Sequence, residues 1–441
     1  MSETKGSANI STKQERIAEL AKRFQTLTTL NHHVDETWLS EAYRRTRKDG
    51  AAGIDGQSAE EYAQQLESNL KSLLERAKAG TYRAPAVRRV HIPKGNGETR
   101  PIGIPTFEDK VLQRAVTMVL EPIYEQDFLP CSYGFRPGRN QHQCIEALRE
   151  TARKMGGGWV LEVDIRKFFD SIPRQRLLET LRKRVQDGVI LRLVAKWLHA
   201  GVQEDGLTTS SEAGTPQGGV ISPLLANVFL HEVLDTWFEQ DVKPRMHGPA
   251  HLFRYADDAV LLFGKEEDAK RVLEVLPKRF EKYGLALHPE KTRLVCFTQP
   301  KRDTTPGDGG GGGPGTFDFL GFTHHWYRSA RGYWVIARKT MRSRMVRAIR
   351  AVWVWLKDNR HLPLAEQRVG LVRRLTGHYN YFTLIGNLHR VWRFHDAVLL
   401  AWKRWLSKRS DAAGLTWRRF NRIRQRYPLP PPRLVHSQRL A

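Results

Sequence analysis

Apolar residues recur with a helical period over Gln14 to Phe24 and Ala59 to Ala77, so the first 80 residues read as polar helices around a glycine-punctuated loop at Gly50 to Gly56. From Tyr82 the pattern shortens. Val87 to Pro93 and Arg100 to Ile104 predict two strands joined by the turn-forming Lys94-Gly95-Asn96-Gly97-Glu98, and a helix follows from Phe107 to about Val119. Trp159 to Val163 is a short apolar strand, and Ser171 and Pro173 open a helix that runs through Arg184. Helices over Pro223 to Gln240 and Glu266 to Tyr283 flank a hairpin whose arms are Leu252 to Arg254 and Ala259 to Phe263. Arg293 to Phe297 and Phe317 to Phe322 predict two more strands. The glycine-rich Asp303 to Gly315 between them cannot pack and reads as a flexible insertion.

After Thr340 the period returns to that of a helix. Met341, Met345, Ile349, Val352, Trp353 and Leu356 share one face, with Arg342, Arg344, Arg347 and Arg350 largely elsewhere. Leu388, Val391, Trp392, Val398, Leu399, Trp402, Trp405 and Leu406 repeat the pattern, and Leu364 to Leu375 lies between. A three-helix bundle with an arginine-rich exterior is the simplest architecture, its apolar faces forming a core and Arg342, Arg347 and Arg350 available to nucleic acid.

Charge sharpens this picture. The 441-residue chain carries a formal net charge of +25. From Arg331 onward 25 Lys and Arg face only 4 Asp and Glu, so the last quarter holds most of the excess. Such concentration points to a polyanionic partner, with mere solubility as the plainer alternative. Cys131, Cys144 and Cys296 lack metal-ligand spacing and form no even disulfide framework, which fits a reducing cytoplasm. No run approaches the roughly 18 apolar residues of a membrane span, and the first 25 residues contain no apolar signal core.

Tyr255-Ala256-Asp257-Asp258 places two adjacent carboxylates at the tip of the predicted hairpin. Two such acids repel unless solvent or a cation neutralises them, so the choice lies between a solvated turn and a divalent metal site. Asp164 ends the Trp159 to Val163 strand, where it serves either as a strand-end cap or as a third acid beside the hairpin tip. Three converging carboxylates suit two Mg²⁺ ions, which would activate an attacking hydroxyl and neutralise a triphosphate. Lys94 and Arg100, across a glycine turn, could grip the same phosphates, and Gly214-Thr215-Pro216-Gln217-Gly218-Gly219 leads into a helix at Pro223 with an amide side chain and free backbone N–H groups. Ser132 to Arg139 sets Tyr133, Phe135, Arg136 and Arg139 among glycines. It could stack on or grip a template, or Phe135 could pack inward.

These segments together resemble a reverse transcriptase encoded by a bacterial group II intron, an intron maturase. The matching blocks run in family order: GIDG at 53–56, HIPKGNGETRPIGIPTFEDKVLQ at 91–113, SYGFRPGR at 132–139 and DIRKFFDSI at 164–172. GTPQGGVISPLLANVFLHEVLD at 214–235, FRYADDAVLLF at 253–263, HPEKT at 288–292 and FLGF at 319–322 follow.

The resemblance implies an α+β right-hand polymerase. An N-terminal extension and the start of the fingers occupy 1–80, and fingers and palm on an antiparallel sheet occupy 81–330. A helical thumb, domain X, covers 331–410, and a basic tail covers 411–441. Asp164, Asp257 and Asp258 would be catalytic, with the Ile165 carbonyl completing the shell of two Mg²⁺ ions that Mn²⁺ could replace. Lys94, Arg100, Gln217 and Ala256 would contact the nucleotide, and Phe169 would exclude a ribose 2′-hydroxyl. Lys291 would contact the template–primer, unless it is an ordinary solvated lysine.

The implied partners are the intron RNA, an RNA template with a DNA primer, target DNA and dNTPs, in the bacterial cytoplasm or at the nucleoid. No Cys follows Cys296, so a lineage without an HNH endonuclease is expected. A reverse transcriptase recruited to DNA repair or phage defence would share the catalytic blocks, and a non-catalytic RNA-binding splicing chaperone would share the basic region.

Overall fold

Eight strands organise the first part of the chain: β1 (Val87–Pro93), β2 (Thr99–Ile104), β3 (Trp159–Val163), β4 (Val202–Glu204), β5 (Leu207–Thr209), β6 (Ala250–Tyr255), β7 (Asp258–Phe263) and β8 (Arg293–Cys296). The computed structural model describes residues 2–93, 99–204, 207–209, 218–300, 315–409 and 414–434. The predicted turn at 94–98, Gln217 and the glycine-rich segment up to residue 314 therefore lie outside the described residues, as do 410–413 and 435–441.

One sheet runs β2-β1-β4-β5 and another β6-β7-β3-β8. β1 pairs antiparallel with β2 but parallel with β4, from Val87 opposite Val202. In the second sheet β7 is central and antiparallel to both β6 and β3. Ala259 to Phe263 are buried whichever face of the sheet they point to, which is why they read as an unbroken apolar run.

The chain divides into two units, Met1–Leu148 with Trp159–Leu294, and Arg149–Gly158 with Val295–Ala441. The first 80 residues share the core of the first unit. Helices Ser2–Arg23 and Glu36–Arg45 bury Ile10, Ile17, Trp38 and Leu39 in the same core as Val111 and Ala115 of helix Phe107–Asp127. The last helix outruns its expected end despite Pro122. A helical proline orphans the carbonyl four residues back, and here Gln14 Nε2 donates to that Met118 oxygen at 3.1 Å. The expected helix from Pro223 is α-helical over Ser222–Leu230 and then widens into π turns over His231–Thr236 and Phe238–Val242.

In the second unit Phe317 to Phe322 is a hairpin rather than one strand. β9 (Phe317–Phe319) and β10 (Phe322–Arg328) flank Leu320 and Gly321, whose φ values of 47° and 81° turn the chain back. β11 (Trp334–Thr340) completes this sheet in the order β11-β10-β9. Helices Arg342–Asp358, Leu364–Phe382 and Leu388–Ser407 form the expected bundle around Val352, Leu356, Leu375, Val398 and Trp402. Trp353 and Trp392, expected inside, are 37% and 40% exposed. Trp355 packs instead, its ring so close to Gly370 that a β-carbon there would meet it at 2.3 Å. A further helix, Trp417–Arg426, adds Phe420 to the core.

Candidate active site

The Tyr255 hairpin turns on two residues. Tyr255 pairs with Asp258, leaving Ala256 and Asp257 at the tip. Ala256 has φ 56°, a conformation that costs an L-residue roughly 1–2 kcal/mol. β3 runs antiparallel to β7 with Val163 opposite Ala259, so continuing that register one residue puts Asp164 opposite Asp258. Opposed residues of an antiparallel pair share a face, and Tyr255, Asp258 and Asp164 therefore lie on one face of the sheet.

Beyond β3 the chain bridges Ile165 to Leu287. His288 N–H donates to Asp164 O and Arg166 N–H donates to Ala286 O, each at 2.8 Å. That pattern leaves the Ile165 amide and carbonyl facing away from the 286–288 segment, toward the hairpin side.

Electrostatics mark the tip as a place for positive charge. Burial pushes the Asp257 carboxyl above its ordinary value, and the charge of Asp164 adds to this. The Asp257 backbone N–H, Arg100 and Arg254 oppose the rise. Lys291 Nζ stands 3.1 Å from Asp164 Oδ2, a cation already held by one of the acids. Among the described residues no three His, Cys, Asp or Glu side chains are grouped closely enough to hold an ion as they lie. The donor set of Asp257, Asp258, Asp164 and the Ile165 carbonyl nevertheless suits a hard divalent cation, which would take over the charge that Lys291 supplies.

A pH dependence follows. Because Asp257 is raised, its proton competes with the cation, so activity should climb with pH through that elevated value, and more Mg²⁺ should move the acid limb lower. Without metal the raised group stabilises the fold below its unfolded value and loses that contribution as pH rises through the folded one. An acid limb indifferent to Mg²⁺ concentration would count against this assignment.

The hairpin is braced from its opposite face by a residue that the sequence reading passed over. Arg254 is fully buried. Its Nε and Nη2 donate to Asp235 at 2.7 and 2.5 Å, and Nη2 also donates to Ser132 Oγ at 2.8 Å. Nη1 donates to Asn227 Oδ1 at 2.8 Å and to the Ala256 carbonyl at 3.0 Å, inside the turn itself. Burial alone would raise the Asp235 carboxyl, but the guanidinium outweighs it and holds the group below its ordinary range. Asp235 sits in the first π turn, a widening often found at functional sites. Gly134 packs beneath the tip, where a β-carbon would lie 2.3 Å from Ala256 N, and its carbonyl accepts from Asn227 Nδ2 at 2.6 Å. Only the adjacency of Arg254 to the acidic tetrad could have pointed to this brace.

The other expected residues divide. Arg100, on β2, is close enough for its charge to act on Asp257. Lys94 and Gln217 lie outside the described residues. Gly218, next to Gln217, packs on β2 with φ 120°, leaving a β-carbon only 2.4 Å from Gly103 O. Phe169 is half-buried on a short helical turn after β3, its ring edge-on to Phe168.

Arg136, expected to contact nucleic acid, is turned toward the protein's own groups. It is 7% exposed, pairs with Glu125 at 2.8 Å and donates to the carbonyls of Leu129 and Ser132. Arg139 is half-buried, donating to Pro130 O while lying over Tyr133. Arg342, Arg347 and Arg350 are exposed on the first helix of the second unit's bundle.

Residues 92–324 match the family described as reverse transcriptase (RNA-dependent DNA polymerase). Protein YkfC of Escherichia coli (strain K12) is 40% identical over 201 residues, covering 44% of this chain and 53% of YkfC. Group II intron-encoded protein LtrA of Lactococcus lactis subsp. cremoris is 43% identical over 169 residues, 38% of this chain and 28% of LtrA. Nuclear intron maturase 2, mitochondrial, of Arabidopsis thaliana is 27% identical over 233 residues, 44% of this chain and 30% of that protein. The chain thus matches about half or less of the length of these curated relatives. No helix among the described residues is long and apolar enough to cross a membrane. With an α+β polymerase fold, a helical C-terminal region and a family match over more than half its length, the chain belongs to the reverse transcriptase (RNA-dependent DNA polymerase) family.

Proposed function

We propose that this protein is the reverse transcriptase of a group II intron, copying RNA into DNA and binding the parent intron RNA to assist splicing and mobility. The observation that carries the catalytic half is the register that sets Asp164 opposite Asp258 beside the Asp257 turn, with Arg100 acting on Asp257. Two Mg²⁺ ions held by these aspartates and the Ile165 carbonyl would supply hydroxyl activation and charge neutralisation for attack of a primer 3′-hydroxyl on a dNTP. The chain's own part is positioning. Arg100 and Lys94 would hold the triphosphate, and the Gln217 turn and Ala256 would line the nucleotide. Lys291, released from Asp164, would be free for phosphate.

Phe169 would stand against the ribose 2′ position. Phe169→Ala should therefore lower the preference for dNTP over rNTP, measured as the ratio of kcat/KM values, by roughly tenfold or more. An unchanged ratio would remove Phe169 from that role.

The RNA-binding half rests on the exposed arginines of the second unit, including Arg342, Arg347 and Arg350 and those of helix Trp417–Arg426. Affinity for structured RNA should fall steeply with salt, because each neutralised phosphate releases counterions. The experiment for the whole proposal is primer extension on an RNA template with dNTPs and Mg²⁺, in nucleic-acid-free protein, beside binding of a group II intron RNA. Extension without intron RNA binding would favour a repair or defence enzyme. Binding without extension would favour an RNA chaperone.

A further inference from the structure

Next to the acidic hairpin the backbone holds an aromatic ring out into solvent. Phe135 has φ 55°, in the left-handed region that favours glycine, and its side chain is 54% exposed. Both neighbours fix it there. Gly134 is packed against Ala256 with no room for a β-carbon, and Arg136 is locked by Glu125 and two loop carbonyls. The loop is also tied to β6, since Tyr133 N–H donates to Arg254 O and Arg254 N–H donates to Cys131 O, each at 2.8 Å. A strained, over-determined segment beside a reactive centre is where function is commonly stored.

The ring lies against Tyr255, with centroids 6.3 Å apart. Tyr255 is opposite Asp258 and shares a sheet face with it and with Asp164. Neighbouring strands are about 4.8 Å apart, so Tyr255 lies roughly one strand width from Asp258 and two from Asp164, and Phe135, on the loop that pairs with the outer edge of β6, roughly one width more. The ring is therefore on the order of three to four nucleotide steps of about 3.4 Å from the carboxylates, within reach of a template strand that passes them.

We infer that Phe135 is a stacking platform for the first unpaired template base ahead of the primer terminus, with Tyr255 backing its ring. The inference rests on the polymerase reading above and adds a residue to it. Bases within the duplex already have both faces covered, whereas an unpaired base offers a free π-face, and proteins hold such bases on exposed aromatic rings. Stacking of this kind tolerates any base, as a template contact must. The rigid loop supplies the ring already oriented, so little ordering is lost when the base arrives.

The test is a binding cycle on the full chain without dNTPs. Wild type and Phe135→Gly are titrated with three primer–templates: blunt, with a 5′ template overhang, and with the same overhang carrying an abasic first position. Wild type should prefer the intact overhang over both others by roughly tenfold. Phe135→Gly should lose that preference and bind all three alike, while its Tm stays at or above wild type because glycine accepts the left-handed backbone. Phe135→Trp should keep the preference. A Phe135→Gly protein as sensitive to the abasic position as wild type would overturn the inference, as would a variant that weakens the blunt duplex equally. Primer extension by the same wild-type preparation tests the polymerase reading separately.

Discussion

Asp257→Ala protein is expected to lose primer extension by at least about a thousandfold while keeping its fold and its affinity for RNA. The carboxylate stands at the tip of a two-residue turn, raised by burial and by Asp164, so its negative charge is tolerated only where positive charge arrives. Removing one charge-stabilising group from a reacting centre commonly costs ~10²–10³ in rate, and a metal-binding carboxylate takes the cation with it. The loss should appear in kcat. RNA affinity should be unmoved, because the exposed arginines of the second unit are a separate set of residues. A well-folded Asp257→Ala protein that still extends a primer, or that loses RNA binding in proportion, would contradict the assignment.

Arg254 is the second position where a large effect is expected, for a different reason. Arg254→Met leaves Asp235 buried without its partner, and breaking a buried pair from one side costs about 3–5 kcal/mol. The denaturation midpoint should drop accordingly. Combining it with Asp235→Leu removes both charges, and stability should then return in part, since apolar groups can replace the buried pair but not the bonds to Asn227, Ser132 and Ala256. Activity should not return with it. Arg254 also donates to the Ala256 carbonyl and to Asn227, contacts that set the turn carrying Asp257 and that no apolar pair reproduces. The half-saturating Mg²⁺ concentration should rise in the double variant and in Arg254→Lys. Full activity in a refolded double variant would show that Arg254 matters only for stability.

Much of this protein was legible before any fold was known, because local periodicity reports local structure. The hairpin at Tyr255, the β1–β2 pair, the strand ending at Asp164 and the three bundle helices all declare themselves in residue spacing. Where the fold departs from that spacing, a backbone dihedral or a distant partner is responsible. Phe317 to Phe322 looks like one strand until Leu320 and Gly321 adopt positive φ. Helix Phe107–Asp127 passes its proline because Gln14, far away in sequence, satisfies the orphaned carbonyl. Trp353 and Trp355 are near neighbours on a helix, and the choice of which one packs was made by Gly370 of the next helix.

The candidate site divides the same way. By itself the sequence determined the chemistry: three aspartates, a basic C-terminal quarter and the ordered blocks that resemble intron-encoded reverse transcriptases, since the identity of donor groups is a property of residues. Only the tertiary structure decided how that chemistry is held. It paired Arg136 with Glu125, placed Lys291 on Asp164, buried Arg254 beneath the turn and left Phe135 in solvent. Each of those outcomes depends on which charges and backbone groups meet across long sequence separations, where a buried donor must find an acceptor and an exposed ring need not.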